Sequence, residues 1–517
     1  MELPVIAIHK AHNATAAVYY KGEIVSVIEF ERFVNIKNAS FDSFEPIYGT
    51  QHILEQVYNY LRSEYGFTHY EKVILSECNG VKDYYKVIPA NEYIADTSSH
   101  HTAHANGSLY QSSFEKALIV SFDGGSPEGY FNIYIGEKGK DLERIRHFSY
   151  DLGSHYHVIG ALCEEVKNYH VLTAAGKVLG LQSYGKVVEE WKQPLKEFFK
   201  SHTPYYHLLD EKIQKLSDSI GISFSKTNKL SGETSYNFAR TAQEVFEEVV
   251  YDCITDSIQE HNLPVIVTGG CALNIVLNTG IKNRYGREVF VAPNSTDCGL
   301  AVGLLCKYLK PAQIVDITYK GVSVLDKQTL MEYIEHKKGI KITTSEIVNE
   351  LIHNKILGVV QGNAEHGPRA LGNRSIICSP ISPDMKDTLN LKVKHREWFR
   401  PFAPIVRLED VSEYFEWEGE SRWMNFCPKV RPEYIDKIPA VVHVDGTARV
   451  QTVTREQNEF IYDLLTLFKE KTGIGVLVNT SFNVDGKPIL STYKDAFKVF
   501  DETQLDRLYL DGYYFRK

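Results

Sequence analysis

In the first thirty-three residues, "PVIAIHKAHNATAAVYYKGEIVSVIEFERF" from Pro4 onward, β-branched and apolar positions come in runs, two of which flank a Lys-Gly pair. That pattern predicts a hairpin laid on a sheet. Further along, short apolar runs each close on small or acidic residues: "ALIVSFDGG", "PVIVTGG" and "REVFVAPNSTDCG". These read as strands, with helical stretches between them, for example at 237–261 and 300–309. Strands alternating with helices predict an α/β architecture whose chemistry sits at the carboxyl ends of the strands. The pattern breaks within 310–345, at "KPAQIVDITYKGVSVLDKQ", and a new α/β unit begins at "KILGVVQGNAEHGPRALGNRS". The expected division is 1–320 and 321–517. The sequence shows no internal repeat, low-complexity tract or block of like charge.

Composition narrows the class. At 517 residues the chain exceeds what one compact core accommodates. A net charge of −9 argues against a nucleic-acid surface, so no nucleic acid is expected as partner. Eight cysteines (Cys78, Cys163, Cys253, Cys271, Cys298, Cys306, Cys378, Cys427) are scattered without a CxxC pair and read as reduced core thiols. No apolar run reaches the roughly eighteen residues of a membrane span, and "MELPVIAIHK" lacks the basic start of a signal peptide. The expectation is a cytoplasmic protein without a membrane partner.

Within "SSHHTAHANGS", His100 and His104 are four apart and share one helical face, half of a metal site. His101 points elsewhere. Asp123 ends the run "ALIVSF" and precedes Gly124-Gly125, and Asp297 follows the strand "EVFVA". An aspartate in such a turn can simply cap a helix. Two histidines with two strand-end carboxylates also suit a divalent iron, manganese or zinc. "VIVTGGCALNIVLN" sets Gly269-Gly270 before a helix, either a plain link or an anion site at the helix amides. Asn274, one turn into that helix, would reach a ribose or phosphate, or cap locally.

The second half carries cations among Gly, Pro and aromatic residues: Arg369 and Arg374, then Lys392, Lys394, Arg396 and Arg400, then Arg449, followed by Ser481 and Asn483. Solvated surface charge is the plain reading of each alone. Converging on one spot, they suit a polyanion such as a triphosphate or carbamoyl phosphate. No GxxxxGK[ST] occurs, which excludes a P-loop.

Taken in order, "HNATAAVYYKGEIVSVIEFER", "HHTAHA", "GKVLGLQSYG", "GGCALN", "STDCGLAVG", "EHGPRALGNRS", "REWFRPFAP", "HVDGTARVQTV" and "NTSFN" resemble the O-carbamoyltransferase family of antibiotic-tailoring and nodulation-factor enzymes, over nearly the whole chain. The resemblance implies an N-terminal domain of the actin-like ATPase (ASKHA) superfold and a C-terminal YrdC-like domain. It implies that carbamoyl phosphate and ATP yield carbamoyl-adenylate in the second domain. The carbamoyl group then passes, in the first, to a hydroxyl of a small-molecule or sugar acceptor beside iron(II), with Mg a further candidate cation. Carried over by motif, His100, His104, Asp123 and Asp297 would hold the metal, and His12 would act on the acceptor hydroxyl. Gly124, Gly270 and Asn274 would bind carbamoyl-adenylate. Arg369, Lys394, Arg400, Arg449, Ser481 and Asn483 would form the carbamoyl phosphate and ATP pocket, with Lys394 and Arg449 catalytic. A homodimer is implied as well. Asn13 stands where relatives commonly carry Asp, which leaves the carboxylate partner of His12 unassigned. The rival readings are a threonylcarbamoyl-type tRNA-modifying enzyme, a sugar-kinase-like phosphotransferase, and a non-catalytic nucleotide-binding actin-fold protein.

Overall fold

The computed structural model describes residues 2–76, 80–125, 129–167, 171–201 and 209–517. Cys78 lies outside the described residues; the other seven cysteines are free thiols. The chain divides into two compact units: Met1–Val25 with Ser40–Asp316, and Ser26–Ala39 with Ile317–Lys517. The division thus falls at 316/317 rather than after residue 320, and a short N-terminal excursion, 26–39, belongs to the second unit.

The first unit is built on two five-stranded sheets. One comprises β1 (Val5–His9), β2 (Thr15–Tyr20), β3 (Glu23–Glu29), β4 (Tyr70–Ser76) and β5 (Ala90–Asp96), in the order β3-β2-β1-β4-β5. The other comprises β6 (Lys116–Phe122), β7 (Phe131–Glu137), β8 (Glu143–Phe148), β9 (Val265–Thr268) and β10 (Val289–Val291), in the order β10-β9-β6-β7-β8. Read from the other edge, the second order repeats the first. In both, the first strand pairs antiparallel with the second and parallel with the fourth, and the fourth pairs parallel with the fifth. The Lys-Gly pair between β2 and β3 makes the expected tight turn, with φ of 50° at Lys21 and 91° at Gly22. The inner strands read as continuous apolar runs because both faces are covered: every residue of β9 is buried, as is all of β6 after Lys116.

Helix His100–Gln111 is buried on all but one of its twelve positions, which is why it lacks an amphipathic pattern. Small residues let it lie directly on helix Leu300–Leu309. A Cβ at Gly303 would sit 2.1 Å from the Ala103 carbonyl oxygen, and one at Gly107 would sit 3.1 Å from the Gly303 Cα. Gly303→Ala should therefore separate the two helices and destabilise this unit by about 1–3 kcal/mol or more. Denaturant unfolding of the full chain checks this, and an unchanged midpoint would contradict the packing.

The second unit holds a seven-stranded mixed sheet of β11 (Leu357–Val360), β12 (Arg374–Cys378), β13 (Ala403–Arg407), β14 (Gln451–Val453), β15 (Val476–Ser481), β16 (Arg507–Leu510) and β17 (Tyr513–Arg516). Its order is β14-β13-β15-β12-β11-β16-β17. β15 runs antiparallel to both β12 and β13, and β14 parallel to β13. The starts of β12, β13 and β14 and the end of β15 consequently share one edge of the sheet. Among the described residues, no helix is long and apolar enough to cross a membrane.

Candidate functional site

In the first unit, parallel pairing of β6 with β9 brings Ser121 level with Thr268, so Asp123 and Gly270 leave the sheet side by side. The Gly270 N–H donates to Asp123 Oδ2 at 2.6 Å and the Gly124 N–H to its Oδ1 at 2.7 Å. A Cβ at 270 would lie 2.8 Å from that carboxylate and would push it aside. Asp297 opens the turn between β10 and helix Leu300–Leu309, and Gln111 Nε2 secures that turn by donating to Asn294 Oδ1 at 3.0 Å.

These supports place four side chains around one point. His104 Nε2 lies 3.3 Å from Asp123 Oδ2 and 3.5 Å from Asp297 Oδ1, and His100 Nε2 lies 3.8 Å from each of the same atoms. One donor atom from each of the four falls within 4.8 Å of all the others. His104 Nε2 is buried and has no aligned hydrogen-bond partner among the described residues. Burial opposes ionisation of Asp123 and Asp297. The surrounding histidines outweigh it and hold both carboxyls below the usual range. Burial would likewise lower the pKa of His104, yet the two carboxylates leave it raised. Two imidazole nitrogens and two ionised carboxylates fit a divalent first-row cation, whose binding would expel the His104 proton.

His101 does face away. Its Nε2 donates to the Gly129 carbonyl and its Nδ1 accepts from the Ser121 hydroxyl, both at 2.8 Å, so it braces the end of β6. Burial, aided by the two neighbouring imidazoles, pushes its pKa down to about 3 and keeps it neutral.

His12 finds its carboxylate in Asp297. Its Nδ1 lies 3.2 Å from Oδ2, while Oδ1 of the same residue faces His100 and His104. Asn13 has φ 56°, a left-handed conformation that asparagine tolerates. His9, absent from the sequence expectations, bonds Ser76 Oγ through Nδ1 at 2.7 Å and lies 3.9 Å from Asp297 through Nε2. Its place at the carboxyl end of β1 was the available signal.

The residues expected to bind carbamoyl-adenylate all make structural contacts. The Gly124 and Gly270 amides are committed to Asp123. Asn274 precedes its helix instead of lying one turn inside it. Its Oδ1 accepts from the Leu277 N–H at 3.1 Å, and its Nδ2 donates to Gln243 Oε1 at 2.9 Å. It is a cap, with its amide spent on holding the helix start.

In the second unit, the shared sheet edge gathers Arg369 (before β12), Lys394, Arg396 and Arg400 (before β13), Arg449 (before β14) and Ser481 with Asn483 (at the end of β15). Crowding is evident in their ionisation. Burial and Arg400 push Arg369 down to about 10, and burial with Arg369 and Arg400 holds Arg449 well below the usual guanidinium range. Nε of Arg369 and Nε of Arg449 are buried without a hydrogen-bond partner among the described residues. Arg400 meets Glu397 and Asp485, each at 3.5 Å. Lys394, at the end of a π-helical turn, spends its ammonium on the Ser481 carbonyl (2.5 Å), the Asn483 carbonyl (2.7 Å) and Asn483 Oδ1 (2.6 Å). It fixes the segment after β15. Arg374 belongs to the framework: fully buried, it donates to the carbonyls of Gln361, Asn373 and Gly362. Lys392 is exposed.

Comparison with known proteins agrees with this two-part construction. Residues 49–306 match the family described as carbamoyltransferase N-terminus, and residues 348–517 match carbamoyltransferase C-terminus. Nodulation protein NolO of Bradyrhizobium diazoefficiens is 30% identical, over 81% of this chain and 79% of that protein. The chain belongs to the carbamoyltransferase family. It is a transferase. Nodulation protein NolNO of Sinorhizobium fredii is 28% identical over 98% of this chain and 79% of its own length, and the uncharacterized protein MJ1051 of Methanocaldococcus jannaschii is 29% identical over 99% of both. Full-length HypF, solved with phosphate and nucleotide bound, covers 59% of this carbamoyltransferase and 55% of its own chain at 14% identity. The TM-score of that match is 0.35.

Proposed function

We propose that this carbamoyltransferase is ATP-dependent, forms carbamoyl-adenylate in its second unit and transfers the carbamoyl group to a hydroxyl in its first. In the second unit, water cleaves carbamoyl phosphate to carbamate and phosphate. A carbamate oxygen then attacks the α-phosphorus of ATP, the bond to the β-phosphate bridge breaks, and pyrophosphate leaves. Arg369, Arg400 and Arg449 bind the phosphates and stabilise charge as pyrophosphate departs. Lys394 keeps Ser481 and Asn483 in place beside them.

The acceptor is a hydroxyl of a small molecule or sugar. His12 donates Nδ1–H to Asp297, which leaves Nε2 to take the hydroxyl proton. The acceptor oxygen bonds to the carbamoyl carbon and AMP departs with the electron pair. His100, His104, Asp123 and Asp297 would hold the divalent ion, with iron(II) the proposed identity; when bound it supplies Lewis-acid polarisation. The finer fold assignments are part of this proposal. The duplicated strand order of the first unit supports the actin-like superfold. The YrdC-like assignment of the second unit rests on the sequence resemblance.

The observation that carries this reading is the cluster of guanidiniums at one end of the sheet strands, where Arg369, Arg400 and Arg449 lie close enough to oppose one another's charge. Incubation with ATP and carbamoyl phosphate should release pyrophosphate, and mass spectrometry should show carbamoylated acceptors. Pyrophosphate release that is indifferent to carbamoyl phosphate would overturn the reading.

A further inference from the structure

The excursion 26–39 carries two charged residues that sequence alone gives no reason to connect with position 369. Glu29 and Arg32 are 7% and 5% exposed, and they form a two-point ion pair: Nε to Oε2 at 2.9 Å and Nη2 to Oε1 at 3.1 Å. Both also grip Gly367. Its N–H donates to Glu29 Oε1 at 2.7 Å, and its carbonyl accepts from Arg32 Nη2 at 3.3 Å. His366 Nδ1 lies 3.0 Å from the same Glu29 oxygen. Burial alone would raise the pKa of Glu29, but Arg32 and His366 outweigh it and hold the carboxyl at about 2.

Gly367, at φ 108°, is two residues from Arg369. On the far side of Arg369, the Ala370 carbonyl accepts from Asn479 Nδ2 at 3.0 Å and the Leu371 carbonyl from Gln451 Nε2 at 3.1 Å. Glu365 Oε1 gathers the N–H groups of Leu371, Asn373 and Arg374. The loop is therefore anchored on both sides of Arg369, and the anchor before it comes from a stretch more than 300 residues away in the chain.

We propose that Glu29 and Arg32 are positioning residues of the second unit's phosphate pocket, acting through Gly367 to set the place of Arg369. The proposal rests on the reading of Arg369 as a phosphate ligand. A buried ion pair that grips both backbone polar groups of one residue fixes the two peptide units that flank it, as a lone hydrogen bond would not.

The test uses the full-length variants Glu29→Ala, Glu29→Gln, Arg32→Lys, Arg369→Ala and the double variant Glu29→Gln/Arg369→Ala. Hydrogen exchange of the peptide covering 361–374 should quicken by about tenfold or more in Glu29→Ala and Arg32→Lys, with the first unit unchanged. KM for carbamoyl phosphate in pyrophosphate release should rise by about 10- to 100-fold, with Glu29→Gln between wild type and Glu29→Ala because its amide oxygen still accepts from Gly367. The double variant should match Arg369→Ala within about twofold, the mark of two residues acting through one contact. A merely structural role would lower the active fraction and leave KM unmoved. Unchanged exchange in both Glu29→Ala and Arg32→Lys, or losses that multiply in the double variant, would overturn the proposal; should Glu29→Ala not fold, Arg32→Lys and Glu29→Gln decide it. Wild-type enzyme that releases no pyrophosphate would instead refute the adenylation reading, with the grip on the loop still decided by exchange.

Discussion

Arg449→Ala is expected to slow carbamoyl phosphate-dependent pyrophosphate release by about 30- to 1,000-fold, the range for removing one charge-assisted contact from a transition state, on the order of 2–4 kcal/mol. Arg449 is the cleanest residue for the purpose. Among the described residues its Nε has no hydrogen-bond partner, so truncation strands no framework group on that atom. Lys394→Ala should be as inactive for a different reason, since it removes the ammonium that ties the Ser481 and Asn483 carbonyls and Asn483 Oδ1 together. Its melting temperature should fall as well, whereas that of Arg449→Ala should not. His12→Ala belongs to the opposite class. With the second unit untouched, it should keep releasing pyrophosphate while no acceptor is carbamoylated, the intermediate being lost to hydrolysis. Stopped-time assays that count pyrophosphate and carbamoylated product in the same tube separate the classes. If His12→Ala stops pyrophosphate release as fully as Arg449→Ala, adenylate formation does not belong to the second unit alone.

Much of this arrangement was legible because it is local. The runs "ALIVSF" and "VIVT" announce buried strands, and spacing alone puts His100 and His104 on one face. What escaped depends on partners far apart in the chain. The two sheets of the first unit share strand order and pairing sense, yet no repeat shows in the sequence. Topology requires only that apolar runs recur in order; it does not require the same residues. Asn274 read either as a ligand residue or as a cap, and its capping contact is set by where the helix starts and by Gln243, thirty-one positions earlier. Asn13 hid the carboxylate of His12, since Asp297 supplies it from the other end of the unit. Glu29 and Arg32 sit in a motif that reads as part of the first domain, while their contacts belong to the second. The hold of Lys394 on four oxygens of Ser481 and Asn483 was equally hidden, because those residues lie almost ninety positions later.

His104→Ala should abolish stoichiometric metal binding, while wild-type protein reconstituted with iron(II) should hold roughly one ion per chain. The side chain contributes the donor nearest both carboxylates, and without it three ligands remain around a buried, doubly negative pair. Asp123 and Asp297 would then face each other with only His100 between them, so the variant should also lose stability at neutral pH. Asp123→Asn offers an independent check. It keeps the shape, but its single amide oxygen can accept from only one of the Gly124 and Gly270 N–H groups, and with one anionic ligand removed its metal affinity should fall. His101→Ala separates structure from ligation. It strips partners from the Ser121 hydroxyl and the Gly129 carbonyl, at about 1–3 kcal/mol for each group left buried and unpaired, so its melting temperature should drop. The four donors are untouched, so it should still take up a full equivalent of metal. Elemental analysis of the folded proteins decides the matter, and full occupancy in His104→Ala would remove these four residues as the metal centre.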